Sequence, residues 1–419
     1  MKKIKRNKIF YGWYIVAASS LNNGIAGSVH WKGFTVFFIP ISQSLGLSSA
    51  QTAIPFALSR AENGLLGPIT GWLLDKYGVK RLMLIGTFIT VIGYILLSFA
   101  STFMSFLIIY LFVISLGSST AFMQASMAAI NKWFIRKRGI AMSINNAAFR
   151  LGGALLVPLL SLSVLNLGWE KSSMIVGIMI IVVIMPLSFI FKKSPESIGL
   201  YPDGEKITSK DKDSKILSID DWTTKDAMKT KAYWLLVLAT MFRIAVHGTI
   251  FLHFIPILVW KGETQQASAN LIGLLALFSV PLIIMFGWLG DKYGRPKLLL
   301  LCYTAAGLSL FFLNQADSTT MIFLALLLFS GSEIGSGMNW SLVGDFFGRE
   351  HYATIRGSMA PIYNIALFTM PIAAGWIKDT TDSYEIVLIS GSIMLIFSAI
   401  VFSLLKKPIK KNYGRGDRI

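Results

Sequence analysis

Six ionisable side chains lie inside long apolar stretches of this 419-residue chain: Lys32, Arg60, Glu62, Arg150, Arg243 and Glu333. Charges in apolar surroundings are costly, and they either pair with one another or face a water-filled cavity that handles ions. Four cations against two carboxylates leave a positive surplus, which favours an anion, and a guanidinium fork suits a carboxylate. Arg60 and Glu62 stand two residues apart and cannot share a helix face, so at most one points at a common cavity. Asn146 lies four residues before Arg150, and His247 four after Arg243, so each arginine extends a polar stripe. Glu333 sits in Gly331-Ser-Glu-Ile-Gly-Ser-Gly337, where small residues allow close helix approach; it is expected to pair with Arg243 or to carry a proton. The bland alternative for all six is structural ion pairing between helices. His30 and His253 read as satisfied polar residues, and Trp31, Trp340 and Tyr363 as cavity walls.

The elements that position these residues are membrane spans. Hydrophobic residues make up 54% of the chain and charged ones 14%, about half the usual soluble share. About twenty consecutive apolar residues cross a bilayer as a helix. Such runs give twelve candidates, near 11–39, 50–75, 80–100, 103–132, 139–165, 170–191, 232–259, 267–290, 297–315, 320–347, 353–377 and 383–405. With the N-terminus placed inside, 32 of the 39 Lys and Arg residues fall on the cytoplasmic side and only Lys171, Lys261 and Lys378 outside. The formal charge of +18 is therefore topology rather than a nucleic-acid-binding face. The lone cysteine, Cys302, excludes an internal disulfide and argues against a cysteine metal site. No cleavable leader stands out, no ligand-spaced cluster or nucleophile motif suggests an enzyme, and no cofactor is expected.

Gly71-Trp-Leu-Leu-Asp75-Lys-Tyr-Gly78 returns 216 residues later as Gly287-Trp-Leu-Gly-Asp291-Lys-Tyr-Gly294-Arg295, so the chain reads as two related halves. Each copy ends a span. A carboxylate there can cap a neighbouring helix and pair with an arginine, which makes Gly71, Asp75, Arg138, Gly287, Asp291 and Arg295 candidate gating residues. Aligning Arg138-Gly139 with Arg356-Gly357 sets Asn146 opposite Asn364 and Arg150 opposite Phe368.

The two loops match the Gly-x-x-x-Asp-x-x-Gly-Arg signature of the major facilitator superfamily, complete in the second copy and with Val79 in place of the basic residue in the first. Phe10-Tyr-Gly-Trp-Tyr, Trp31-Lys32-Gly-Phe, Trp133-Phe134-x-Arg136-Lys137-Arg138-Gly and Ser197-Ile-Gly-Leu-Tyr-Pro-Asp-Gly are similar to segments of the monocarboxylate transporters and the oxalate/formate antiporters. The span-eight Asp and Arg of the monocarboxylate pattern align near Ser279 and Ile283, so that feature is absent. The basic residues of spans eight and eleven in the oxalate antiporters have no counterpart inside those spans either. The resemblance implies an all-α membrane protein of twelve transmembrane helices in two pseudo-symmetric six-helix bundles. The expected division is 1–192, a cytoplasmic linker at 193–230, and 231–419 with a basic tail.

The function expected is secondary transport of a small organic anion with a proton, by rocker-switch alternating access. Lys32, Arg60, Asn146, Arg150, Arg243 and Asn364 would bind substrate, and Glu62, His247 and Glu333 would couple protons. The rival is a proton-coupled drug or cation exchanger, with Glu62 and Glu333 as the exchanged acids; a non-transporting sensor is a third reading. The chain is expected to work as a monomer in the cell membrane, both termini cytoplasmic, with the bilayer, the anion and H+ as its partners and no nucleic acid.

Overall fold

The computed structural model describes residues 9–26, 29–30, 33–47, 49–204 and 221–409; for some helical residues, Arg60 among them, only the backbone is described. Lys32 and Trp31 lie outside the described residues. The described chain forms twelve helical rods. Eight helices are long and apolar enough to cross a membrane, and one of these, Arg138–Ser188, is two rods joined at Gly168, whose φ of 82° breaks it. The remaining rods are Tyr11–Ala26 continued by Phe34–Ser44, the charge-bearing Ser49–Tyr77, and Gln265–Tyr293. Large apolar side chains such as Leu165, Phe99 and Trp376 stay exposed, as lipid-facing residues do. The protein is a multi-pass, all-α membrane protein.

The repeated loops owe their shape to glycine. Gly78 and Gly294 occupy equivalent places with φ of 85° and 94°, a region in which a side chain is strained, and each starts the next span at once. Span two (Ser49–Tyr77) and span eight (Gln265–Tyr293) therefore end in the same tight corner. Span four is interrupted by a π-helical turn at Tyr110–Ser115, and span ten breaks at Ser330 into Thr319–Phe329 and Gly331–Phe347. Such breaks loosen the helix ladder where polar side chains must be placed.

The halves meet at the end that carries the repeated loops. One apolar cluster runs there through both, from Ile15 and Trp133 to Phe347 and Tyr352. A second cluster, around Ile257, Leu313 and Tyr384, belongs to the second half alone. The contact between halves is lined by glycine. A Cβ at Gly71 would collide with the Ala353 carbonyl, and one at Gly287 with Ser143.

The central segment ties itself to this same end by two aspartates. Asp203 accepts hydrogen bonds from the backbone N–H groups of Ile135 (3.0 Å), Arg136 (2.9 Å) and Lys137 (3.1 Å), in the loop between spans four and five. Asp221 accepts from Arg349 (2.7 Å) and Glu350 (3.1 Å), in the loop between spans ten and eleven. The two loops are pseudo-symmetric equivalents, since Ile135 and Arg136 precede Arg349 and Glu350 by 214 residues each. One polar segment thus grips the same corner of both halves.

Charge-assisted bonds of this kind are worth about 1.5–3 kcal/mol when the acceptor is buried. Asp203 is buried and Asp221 exposed, so Asp203→Ala should destabilise the detergent-solubilised protein by about 2 kcal/mol and Asp221→Ala by less. Thermal unfolding followed by tryptophan fluorescence reads this out; an unchanged midpoint in Asp203→Ala would contradict it.

Candidate functional site

Arg150 of span five and Glu333 of span ten form an ion pair that joins the first half to the second within the apolar region. The Glu333 side chain is 6% exposed and that of Arg150 21%. The break at Ser330 explains why a carboxylate is tolerated there. Glu333 falls in the first turn of Gly331–Phe347, where the helix dipole favours negative charge. His247 of span seven approaches the same carboxylate, its Nε2 3.7 Å from Oε1, while Nδ1 lies 2.9 Å from the Ser332 hydroxyl. Phe251 and Phe329 stack on the imidazole. A carboxylate, an imidazole and a guanidinium in one group can exchange a proton and an anionic partner.

Arg243, one turn before His247, is 5% exposed and its Nε has no hydrogen-bond partner. Glu333 therefore pairs with Arg150 and approaches His247, not the expected Arg243, because helix rotation turns the span-five guanidinium onto its carboxylate. Asn146 sits beside the Arg150 face with its Nδ2 buried and unbonded. Asn364 donates to the Ala360 carbonyl of its own helix at 2.8 Å and packs against Gly64 of span two. Glu62 turns toward span four, where Ser115 is its hydrogen-bond partner. The Arg60 side chain and Lys32 lie outside the described residues. The Nε2 of His30 meets the Ser118 hydroxyl at 3.1 Å, and His253 bridges Tyr384 (3.1 Å) and the Pro371 carbonyl (3.0 Å), as a satisfied polar residue does. Trp340 and Tyr363 stand together, ring centroids 5.8 Å apart, with the Arg356 guanidinium 4.3 Å from the Trp340 ring centre.

The repeated loops form the second polar locus. Asp291 accepts from the N–H groups of Gly139 (2.8 Å) and Ile140 (2.9 Å), so it caps span five of the opposite half. Arg295 bonds both Asp291 and Asp345, and Arg138 reaches Asp345 at 2.7 Å. The result is a chain of alternating charge across the seam. In the other copy Asp75 accepts from the Thr354 N–H (2.8 Å) and hydroxyl (2.7 Å) and caps span eleven. With Val79 where the second copy has Arg295, Asp75 pairs with no arginine among the described residues. One side of the seam thus carries an alternating charge chain, and on the other the Asp75 carboxylate bonds Thr354.

These caps correct the alignment of the halves. Span five begins at Arg138 and span eleven at Tyr352. Asp291 docks at Gly139 and Ile140, whereas Asp75 docks at Thr354. The shift between the halves here is 214 residues, not the 218 that matching the Arg-Gly pairs gives, a difference of one helical turn. Arg150 therefore corresponds to Asn364, and Asn146 to Ala360. The Arg-Gly pairs misled because the same dipeptide occurs one turn deeper in span eleven.

A family model described as Major Facilitator Superfamily matches residues 16–371 and 255–417. The chain is 24% identical over 380 residues to the probable sulfoacetate transporter SauU of Cupriavidus necator, covering 84% of this chain and 85% of that one. It is 24% identical over 441 residues to monocarboxylate transporter 2 of Mus musculus, covering 97% and 87%. Among solved structures, the transporter FucP in the outward conformation superposes with a TM-score of 0.73 at 12% identity, covering 94% of this chain and 99% of that one. The human organic anion transporter MFSD10 gives 0.71 at 13% identity, covering 93% and 99%.

If the charge chain holds this end shut, Asp291→Asn should open it, because Arg295 keeps one carboxylate and span five loses its charged cap. Ser143 lies fully buried behind the seam. In a Ser143→Cys background, Asp291→Asn is expected to speed maleimide labelling about tenfold or more, the equivalent of about 1.4 kcal/mol. Equal rates would show that the network does not control access.

Proposed function

The chain belongs to the Major Facilitator Superfamily and is a membrane transporter of that type, and we propose that it carries a small organic anion together with a proton. The observation behind this reading is the Arg150–Glu333 pair between the two halves, with His247 on the same carboxylate. An arriving anion competes with Glu333 for Arg150. A carboxylate that loses its cation at this depth is costly, and taking up a proton removes the cost. Anion and proton then bind as one neutral load. Since Arg150 and Glu333 come from different halves, exchanging that partner changes what holds the halves together, and the load gains differential affinity for one state over the other.

The relatives' names fit an anionic cargo, one a sulfonate-bearing acid and the other monocarboxylates. The cation-exchange alternative loses support from the geometry, since Glu62 is turned to Ser115 and Glu333 is matched with Arg150. We take 1–192 and 231–419 as the two bundles, working as a monomer, and place the loop-repeat end and both termini in the cytoplasm from the distribution of Lys and Arg. The charged seam then serves as the cytoplasmic gate.

In proteoliposomes, lactate or sulfoacetate uptake driven by an inward proton gradient tests the scheme. Arg150→Ala should bring uptake to background. Glu333→Gln should keep anion exchange while accumulation stops responding to the gradient. Gradient-driven accumulation by Glu333→Gln at the level of the unsubstituted protein would overturn the coupling role.

A further inference from the structure

We propose that Arg243, Tyr303 and Asn339 form the seat for the oxyanion headgroup of the cargo, a subsite built wholly from the second half; this rests on the organic-anion reading above. Spans seven and ten run antiparallel in a register fixed by two contacts. Thr240 bonds Asn339 at 3.1 Å, and His247 meets Ser332 at 2.9 Å, seven residues further along one helix and seven back along the other. Arg243 therefore stands at the level of Gly335-Ser336-Gly337, where the lack of large side chains leaves room for a guanidinium. The Tyr303 ring of span nine lies against Gly335, so that a Cβ there would meet its hydroxyl at 2.7 Å. Tyr303 and Arg243 are within electrostatic range of each other.

The chemistry of this level is one-sided. Arg243 is 5% exposed and, among the described residues, makes no hydrogen bond or ion pair; its Nε is buried without a partner. The Tyr303 hydroxyl and the Asn339 Nδ2 are likewise buried and unbonded, in residues with no exposed surface. The Asn339 Oδ1 is occupied by Thr240, which leaves the amide as a donor. Three helices thus bring a cation and two neutral donors within about one turn of each other, and the carboxylate one turn away on span ten, Glu333, is paired with Arg150 rather than with Arg243. A buried guanidinium left in that condition is strongly unfavourable unless an anion shares the site. Arg150 is different, because Glu333 already balances it. The headgroup therefore seats first at Arg243, and Arg150 is recruited from the other half afterwards. Carboxylate and sulfonate both satisfy such a donor set, and the experiment separates them.

Purified full-length protein in nanodiscs is titrated with sodium lactate, sodium methanesulfonate or neutral 1,2-propanediol, and thermal stability gives the affinity. At least one of the two anions should raise the midpoint, the diol should not, and the stronger anion identifies the headgroup. Tyr303→Phe, which keeps the ring in its slot, should weaken that anion about tenfold or more, as expected for losing a hydrogen bond to a charged group. Arg243→Met should abolish the shift while leaving the anion-free midpoint equal or higher, since a buried uncompensated cation has gone. A midpoint that falls by several degrees in Arg243→Met, or anion affinity unchanged in both variants, overturns the subsite. If neither anion shifts the unsubstituted protein, the organic-anion reading itself fails.

Discussion

A guanidinium and a carboxylate cannot both stay charged at bilayer depth unless each has a partner, and in this chain they find one another across the boundary between the halves. Arg150 and Glu333 satisfy the low dielectric only while spans five and ten stay close. A hydrophobic pair at this place would hold the halves together in every state. Under the proposed function an ion pair holds them only until a competing anion or a proton arrives, which would make the attraction conditional on cargo. The break at Ser330, the small residues after it, and the imidazole on the same carboxylate surround that pair.

The seam at the loop-repeat end uses a different principle. Helices approach so closely there that glycine is required on both sides, as at Gly71 against Ala353 and Gly287 against Ser143. The specific attraction comes from aspartates capping helices of the opposite half. These contacts are short-ranged and polar, and they lie beside the apolar cluster that runs through both halves at this end. The linker aspartates extend the pattern, since Asp203 and Asp221 take equivalent loops of the two halves. The closed end is thus secured by carboxylates on backbone N–H groups, and the centre by a carboxylate on a guanidinium.

Much of this was legible in the amino-acid sequence, and what escaped it did so for physical reasons. Length and hydropathy located the spans, and the recurrence of Gly71 and Asp75 as Gly287 and Asp291 gave the two halves. Val79 announced that one copy of the loop lacks its arginine, and Asp75 there bonds Thr354 where Asp291 bonds Arg295. The partner of Glu333 was not legible, because the sequence pointed to Arg243 and helix rotation, which sets Arg150 against it instead, is not written in the sequence. The register between the halves was misread by a turn, since a repeated Arg-Gly pair outweighs a cap that only coordinates reveal. Tyr303 and Asn339 passed unnoticed, one Tyr and one Asn among many in apolar spans. The signal that points to Asn339 is the stripe Thr240, Arg243, His247 facing the small-residue stretch of span ten, which fixes what lies opposite each residue.

The central claim is that anion binding frees Glu333 from Arg150 and that Glu333 then takes a proton. Proton uptake measured directly on anion addition, with purified protein in weakly buffered solution and a pH-sensitive dye, tests it without a membrane gradient. The account predicts about one proton taken up per anion bound, with the uptake absent in Glu333→Gln although the anion still binds. Saturating anion binding to the unsubstituted protein with no proton uptake would contradict it.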